Sequence, residues 1–413
     1  MTSQTIFYLI IGFLTLDFIM DQVLSYLNLH YQKNELPEEL KGIYDVDKFR
    51  KSQDYLKANT NFSFITSTFS FLLMLIVLGS GILIKLNAEI RVYFHDPIVV
   101  SLIFFGILFL ASDLLNIPFS VYNTFVIEEK FGFNKTTLKT YISDKLKGYF
   151  IAIIMGGIIL SVFLWLVLHM GQSFWLYFWI VISSFMILIN MFYTSLILPL
   201  FNKLSPLETG ELRSEIEIYS NKVDFPLNNI FVMNGSKRSS KANAFFSGIG
   251  KKKKIVLFDT LINNHTKEEL VSVLAHEAGH FKKKHIILGL ILSLLQTGLI
   301  LYILSLFIFS KDLSLALGAD DISISLNLIA FTILFSPFSH LIGIFMNLLS
   351  RKNEYEADAY AAKTYDGKAL QEALKKLSSD NLSNLTPHPA YVFMHYSHPP
   401  LLSRLRALNR IQD

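Results

Sequence analysis

Cysteine is absent from the 413 residues of this chain. Without thiol groups the protein has no disulfide framework, no thiolate nucleophile and no cysteine-ligated zinc or iron–sulfur cluster. Any bound metal ion must therefore be held by the side chains of histidine, aspartate or glutamate.

Charged residues are also few, at 17% of the chain, whereas hydrophobic residues make up 52% and the mean hydropathy is +0.43. This composition is typical of a membrane protein rather than of two or three soluble domains. With 14% aromatic residues and only 20 Gly and 11 Pro, the chain is neither intrinsically disordered nor collagen-like. A net charge of +4 without a basic, aromatic-rich face gives no indication of a nucleic-acid partner.

Seven apolar stretches are long enough to cross a bilayer as helices, because a crossing needs about 20 apolar residues. Residues 148–202 contain no Asp, Glu, Lys or Arg and are too long for one crossing, so a turn near residues 169–173 is expected to divide them. The predicted spans cover residues 5–27, 61–84, 97–126, two helices within 148–202, 286–310 and 322–350.

Several polar residues lie inside these predicted spans. They are Asp17 and Asp21 in the first span, Asp113 in the third, and His340 near Pro337 in the seventh. Because a charged group is costly in hydrocarbon, we expect these side chains to face a partner or water.

Lysine and arginine are distributed unevenly between the loops that connect the spans. Eleven lie between spans one and two or between spans three and four, whereas three lie on the opposite side. Because positively charged loops stay in the cytoplasm, the N-terminus is predicted outside or in a lumen and the C-terminus in the cytosol. The chain then divides into spans one to five (1–202), a polar segment (203–285), spans six and seven (286–350) and a second polar segment (351–413). The two polar segments face one compartment and can share a site.

The first polar segment contains the motif HEAGH at residues 276–280. Thr266 and Glu269 form a capping-box pattern that predicts the start of a helix ten residues before the motif. On such a helix His276 and His280 lie on one face and can bind the same metal ion. Glu277 lies beside them, where it can take a proton from an attacking water molecule. The alternative is a charged helix face that binds no metal.

A third metal ligand must come from elsewhere in the chain. The metzincin pattern is excluded, because Lys283 occupies the position of its glycine. The second polar segment contains NEYEAD at residues 353–358, where Glu354 and Asp358 would share a helix face and Glu356 would point nearly opposite. The pair can supply one ligand and one acceptor for a ligating histidine. The alternative is an acidic, solvated first turn of a helix.

With seven predicted spans, HEAGH and NEYEAD together resemble the type I CAAX prenyl endopeptidases, which are integral-membrane zinc metalloproteases. The resemblance extends to IEEKFGFNKTT at residues 127–137, KANAFFSGIGKKKKIVLFDTL at 241–261 and HPPLLSRLRAL at 398–408. It implies an α-helical integral membrane fold: seven transmembrane helices around a water-filled chamber, with a mainly helical cytosolic zinc-protease domain that contains a small β element.

The resemblance also implies roles for individual residues. His276, His280 and Glu354 would bind one Zn²⁺ ion, Glu277 would be the general base, and Asp358 would orient a ligand. Asn243, His398 and Arg404 would hold the substrate backbone or stabilise the oxyanion.

The last three residues also have simpler interpretations. Asn243 precedes an apolar stretch that is consistent with a strand edge able to pair with an extended peptide, but a turn cap would also place an asparagine there. His398 and Arg404 lie on either side of a Pro–Pro turn and are polar donors suited to an oxyanion. Arg404 would equally suit an exposed helix surface.

The leading hypothesis is a membrane-embedded zinc-dependent endopeptidase that cleaves near the C-terminus of membrane-associated proteins, with prenylated C-a-a-X proteins as candidate substrates. One alternative is a quality-control protease for misfolded or stalled membrane proteins, and another is a transporter or channel. The absence of cysteine and the abundance of Lys, Ile and Asn favour a bacterial inner membrane, with the endoplasmic-reticulum membrane as the alternative. The sequence carries no indication of the oligomeric state.

Overall fold

The computed structural model describes residues 2–33, 35–40, 46–225, 229–247 and 254–412. Its N-terminal half is helical, with two π-helical turns at Asn123–Glu128 and Ala152–Gly156 and short 3₁₀ turns at Glu38–Leu40 and Gly171–Ser173. The helices are α1 (Ser3–His30), α2 (Val46–Gly79), α3 (Ile82–Tyr93), α4 (Pro97–Tyr122), α5 (Leu138–Ile151), α6 (Gly157–Met170), α7 (Phe174–Leu196) and α8 (Leu198–Phe201).

The C-terminal half combines a small sheet with further helices. Its elements are β1 (Leu204–Pro206), α9 (Glu211–Lys222), β2 (Asn229–Met233), a 3₁₀ turn at Gly235–Lys237, β3 (Ala244–Ser247), β4 (Lys254–Phe258), α10 (Asp259–Asn264), α11 (Lys267–Lys282), α12 (His285–Phe307), α13 (Lys311–Ala316), α14 (Ile324–Leu334), α15 (Ser336–Thr364), α16 (Gly367–Asp380), α17 (Pro389–His395) and α18 (Leu401–Gln412). The short sheet is the small β element expected from the resemblance.

Among the described residues, five helical stretches are long and apolar enough to cross a membrane. They are Ser3–His30, Val46–Gly79, Pro97–Glu128, Leu138–Phe201 and His285–Phe307. A sixth span forms where α14 and α15 follow each other at an angle of 51°.

The stretch Leu138–Phe201 folds back on itself and so contains two spans. The helix breaks at Gly171, whose φ of 54° lies in the left-handed region that glycine tolerates. Phe163 lies before this break and Phe178 after it, and their ring centroids are 5.0 Å apart. A continuous helix would separate these residues by about 22 Å along its axis. The predicted turn near residues 169–173 is therefore present, and among the described residues the two halves of this stretch, the four other stretches and the bent pair agree with the seven predicted spans.

The predicted span over residues 322–350 is present as two consecutive helices, α14 and α15, that pass the test for a span together. The chain bends between α14 and α15, because Pro337 occupies the first turn of α15 and a proline inside a helix removes a hydrogen bond and clashes with the preceding turn. The helix α15 then continues to Thr364, so residues 353–358 are not the first turn of a new helix. The expected boundary between residues 350 and 351 lies inside α15.

The spans form a closed ring. Around the ring, each of the following helices contacts the next: α1, α2, α4, α6, α7, α12 and α14. Both α14 and α15 contact α1, which closes the ring. Only 6% to 22% of the residues in the apolar part of each long helical stretch are buried, so most of these side chains face away from the helix contacts. The water-filled chamber inside the ring stays a prediction from the resemblance.

The polar residues inside the spans have partners, as expected. Asp17 lies 3.2 Å from His340 between α1 and α15, and Asp113 lies 2.6 Å from Lys145 between α4 and α5. Pairing and access to water offset the cost of charge at membrane depth.

The two polar segments form one body at one end of the ring. Its sheet has the order β1-β2-β4-β3, in which β2 and β4 are parallel and the outer pairs are antiparallel. One hydrophobic core joins Leu270 and Leu274 of α11 to Ala361 of α15 and Leu370 of α16. Burial of this shared apolar surface is the main force that holds the segments together.

We expect Gly298→Leu in α12 to destabilise the ring. A Cβ atom at Gly298 would lie 3.0 Å from Nε1 of Trp179, which donates a hydrogen bond to the Leu294 carbonyl oxygen across the same crossing. The larger side chain should lower the free energy of unfolding by about 1–3 kcal/mol, seen as a lower thermal midpoint in detergent. Gly289→Leu is the control, because no described atom lies within 4 Å of a Cβ there. Equal midpoints for both variants would contradict the close crossing.

Candidate metal centre

The helix α11 positions the two histidines of the HEAGH motif. Its predicted capping box is confirmed: the Thr266 side chain accepts from the Glu269 amide, and the Glu269 carboxylate accepts from the Thr266 amide at 2.9 Å. Lys376 of α16 pairs with Glu269 at 2.7 Å and ties this helix start to the second polar segment. His276 and His280 then lie one turn apart on the face toward α15.

Three potential metal ligands converge between α11 and α15. Nε2 of His280 lies 3.2 Å from Nε2 of His276 and 3.2 Å from Oε1 of Glu354, while His276 Nε2 lies 3.6 Å from Glu354 Oε2. A tetrahedral ion with bonds of about 2.0–2.1 Å separates its ligand atoms by about 3.3 Å. The three side chains therefore fit one such ion.

Glu354 supplies a second sign that a cation belongs here. Its Oε2 atom is buried and has no hydrogen-bond partner among the described residues. A buried acceptor without a partner is costly, and a metal ion bound to this oxygen would remove that cost. Arg404 Nη1 lies 3.4 Å from this oxygen without donating a hydrogen bond to it, so the donor set and the oxygen both agree with metal binding.

The ligands meet because α11 and α15 cross at very short range. Gly279, the residue between Ala278 and His280, has no side chain at the crossing point. A Cβ atom there would lie 2.9 Å from Cα and 3.1 Å from the carbonyl oxygen of Ala357. The glycine therefore sets the distance between the histidines of α11 and Glu354 of α15.

Asp358 and Arg404 lie directly behind His276. Oδ1 of Asp358 is 2.8 Å from Nδ1 of His276, and the Arg404 guanidinium donates two bonds to the Asp358 carboxylate at 2.6 and 2.8 Å. Asp358 thus holds the Nδ1 hydrogen and leaves the Nε2 lone pair of His276 for the metal. Burial opposes the charge of Arg404, but Asp358 and Glu354 raise its pKa, so the guanidinium stays protonated.

Glu277 lines a cavity of about 180 Å³ beside the candidate ligands. Burial raises the pKa of its carboxyl group, and the nearby His276 and His280 oppose this effect without cancelling it. A raised pKa suits a group that must accept a proton and then release it near neutral pH.

His398 lies at the mouth of this cavity, with its side chain 66% exposed. Its Nε2 atom is 3.4 Å from Oε1 of Glu354, and its Nδ1 atom is 3.0 Å from the Ser397 hydroxyl. His398 and Arg404 also line an adjoining cleft of about 530 Å³. The exposed imidazole can therefore reach a group bound between the cavity and the cleft.

Asn243 lies on the opposite wall of the cavity, directly before β3. Among the described residues β3 pairs only with β4, so its other edge is free to pair with an extended peptide. The Asn243 side chain accepts a hydrogen bond from the amide of Ala244 at 2.8 Å. This contact is local to the segment, so the peptide-pairing and turn-cap interpretations of Asn243 both stay predictions.

The segment before β3 is held from two sides. Asn134, in the segment 127–137, forms an isolated β-bridge with Ser239. Asn381 makes two bonds of 3.1 Å to the backbone of Ala242, one to the amide and one to the carbonyl. These contacts fix the position at which Asn243 and the β3 edge enter the cavity.

The structure thus brings together the eight candidate site residues named from the sequence, and it adds two. His285 lies 3.1 Å from His280, and Glu356 lies 3.3 Å from His285. Sequence reasoning missed both, since His285 follows the end of α11 where helical spacing no longer applies, and Glu356 points away from Glu354 on α15.

Two protein-family models match the chain and together cover most of it. Residues 25–203 match the N-terminal region of CAAX prenyl proteases, described as five membrane helices. Residues 206–412 match peptidase family M48. Together with the His–His–Glu cluster, these matches define an integral-membrane metallopeptidase, which favours a peptidase over the transporter alternative.

Relatives with closely similar lengths lead to the same family. CAAX prenyl protease 1 of Saccharomyces cerevisiae is 36% identical, over 98% of this chain and 95% of that protein. The CAAX prenyl protease 1 homologs of Arabidopsis thaliana and Homo sapiens are 37% and 34% identical, over 97% and 92% of this chain and 96% and 89% of those proteins. The crystal structure of S. mikatae Ste24p matches with a TM-score of 0.93 at 35% identity, over 98% of this chain and 99% of that one. The chain belongs to peptidase family M48.

We expect Gly279→Ala to weaken metal binding by about tenfold or more, measured by competition with a chelating dye. The added methyl group would meet backbone atoms of Ala357, which cannot rotate away, so α15 must move and carry Glu354 from the histidines. Gly343→Ala on α15 is the control, because no described atom lies within 4 Å of a Cβ at that position. Wild-type affinity in the Gly279 variant would show that the crossing does not set the ligand geometry.

Proposed function

We propose that the protein is a membrane-embedded, zinc-dependent endopeptidase that cleaves peptide bonds near the C-terminus of membrane-associated proteins, with prenylated CAAX proteins as its substrate class. The observation that carries this proposal is the convergence of His276, His280 and Glu354 beside Glu277, in a cavity next to a free strand edge. The relatives named CAAX prenyl proteases support the substrate class. The ring of helices supports a substrate that arrives through the membrane.

Zinc is the metal that the donor set favours. Two imidazoles and one carboxylate are the ligands of many catalytic zinc sites, and the absence of cysteine leaves no softer ligand. When bound, the ion would supply Lewis-acid chemistry for the peptide carbonyl and for water. His276, His280 and Glu354 would hold it.

The chain's own residues then divide the work of peptide hydrolysis. Glu277 accepts a proton from the attacking water and passes it to the leaving nitrogen. The free edge of β3, entered at Asn243, pairs with the extended substrate. His398 donates to the developing oxyanion from the cavity mouth, and Arg404 holds Asp358 and Glu354 in place.

We propose the same topology as the charge distribution predicts, with the N-terminus outside or in a lumen and the polar segments 203–285 and 351–413 in the cytosol. Segments 1–202 and 286–350 would then form the ring. The sequence composition favours a bacterial inner membrane, whereas the relatives from yeast, plant and human support the endoplasmic-reticulum alternative.

Single cysteines test this topology, because the natural chain has none. In sealed vesicles whose cytosolic face is outward, a membrane-impermeant maleimide should label Lys51→Cys at the start of α2. It should label Asp321→Cys, on the predicted opposite side, only after the vesicles are permeabilised. Both side chains are exposed, so accessibility differs only by compartment. The reverse labelling pattern would overturn the proposed orientation.

Glu277→Gln should abolish cleavage and keep the metal, because the amide cannot accept the proton but leaves all three ligands in place. The measurement is hydrolysis of one C-a-a-X peptide, prenylated and unprenylated, by purified zinc-loaded protein, with zinc content determined in parallel. We expect a rate loss of at least about 100-fold, given the usual contribution of a general base.

The paired peptides separate the two protease hypotheses. Glu277-dependent cleavage that strongly favours the prenylated peptide supports CAAX processing. Equal cleavage of both peptides would favour a quality-control protease with the same site. Cleavage that survives in the Glu277→Gln variant would refute the assigned mechanism.

A further inference from the structure

His280 has a partner of its own on the side away from the metal. Nδ1 of His280 lies 3.1 Å from Nδ1 of His285, and Nε2 of His285 lies 3.3 Å from Oε2 of Glu356. The His285 side chain is only 7% exposed, whereas Glu356 is 38% exposed and reaches solvent. The three side chains form a continuous chain from the metal centre to the surface.

The hydrogen positions in this chain follow from what each group can donate. The Glu356 carboxylate only accepts, so the hydrogen of a neutral His285 lies on Nε2 and its Nδ1 becomes an acceptor. Nδ1 of His280 must then carry the hydrogen that it donates to His285. The lone pair of His280 Nε2 is left to face Glu354 and His276, which is the orientation that a metal ligand requires.

The backbone between α11 and α12 is shaped to bring His285 back to His280. After Lys283 ends α11, Lys284 adopts a left-handed conformation with a φ of 60°, which lysine seldom takes. This turn starts α12 at His285 and directs its ring against the end of α11. A conformation that costs energy is retained at the position that creates the histidine contact.

We propose that His285 and Glu356 are positioning residues that fix the ring and tautomer of His280 for metal binding. This inference rests on the proposed metal site. Asp358, held by Arg404, contacts Nδ1 of His276, and His285, held by Glu356, contacts Nδ1 of His280. Each candidate histidine ligand therefore has its own pair of orienting residues. Glu354 and Glu356, on opposite sides of α15, then act on the same centre, one directly and one through His285.

Zinc affinity of the purified full-length protein tests the proposal. We expect His285→Leu to weaken Zn²⁺ binding by about 10–100-fold, the usual cost of removing such a partner. His285→Asn should restore part of the loss, because its amide oxygen stands close to the position of Nδ1 and still accepts from His280. Glu356→Ala should weaken binding less than His285→Leu.

The matched control is Glu372→Ala. Glu372 is also a half-exposed helical glutamate, 43% exposed, and it pairs with Lys375 at 3.0 Å much as Glu356 approaches Lys352 at 3.8 Å. Its removal should leave the Zn²⁺ affinity unchanged. The visible spectrum of the Co²⁺-substituted protein is a second measurement, since it reports ligand geometry and should change in the His285 and Glu356 variants alone.

The outcomes separate this inference from the proposed function. A wild-type protein that binds no Zn²⁺ would refute the metal site itself. Wild-type protein that binds Zn²⁺, together with variants of equal affinity and unchanged Co²⁺ spectra, would overturn the positioning role. If His285→Leu does not fold, Glu356→Ala decides: weaker binding at an unchanged thermal midpoint supports the role, and wild-type affinity overturns it.

Discussion

The close crossing of α11 and α15 at Gly279 and Ala357 is the constraint on which the site depends. Two helices from segments far apart in sequence must approach until one backbone touches the other, because their ligand side chains are short. The shared core around Leu270, Leu274 and Ala361 supplies the apolar burial that maintains this approach. Metal ligation in this protein is therefore a consequence of packing between segments that the membrane helices α12 and α14 separate.

The electrostatic design of the site follows from the same crossing. Glu354 and Asp358 are both buried on α15, and two buried carboxylates would repel each other and resist burial. Arg404 of α18 offsets both, with contacts of 2.6 Å to Asp358 and 3.4 Å to Glu354. The metal ion would supply the remaining positive charge on the other face of Glu354. Loss of Arg404 would thus leave a buried negative charge rather than a simple gap.

Local periodicity explains which parts of the site the sequence predicts. His276, Glu277 and His280 are read from one helix turn, and the capping box fixes where that helix begins. Glu354 and Asp358 follow from the same i, i+4 rule on a second helix. The seven spans follow from hydropathy, since the membrane requires continuous apolar helices.

The features that the sequence does not predict depend on tertiary geometry. His285 reaches His280 only because Lys284 adopts a left-handed conformation. The need for glycine at position 279 is visible only when Ala357 lies against it. The bend before Pro337 and the continuation of α15 past residue 350 reflect packing that a hydropathy pattern does not record.

The uninterrupted helix α15 connects the membrane-spanning part of the protein directly to the candidate metal ligand Glu354. From Pro337 to Glu354 the helix extends for about 26 Å without a break, at 1.5 Å per residue. A rigid rod of that length that tilts by about 10° displaces its far end by about 4.5 Å, more than the spacing between the ligand atoms. A change in the tilt of α15, which depends on its packing against neighbouring helices and on the match to the bilayer thickness, would therefore move Glu354 relative to the histidines of α11.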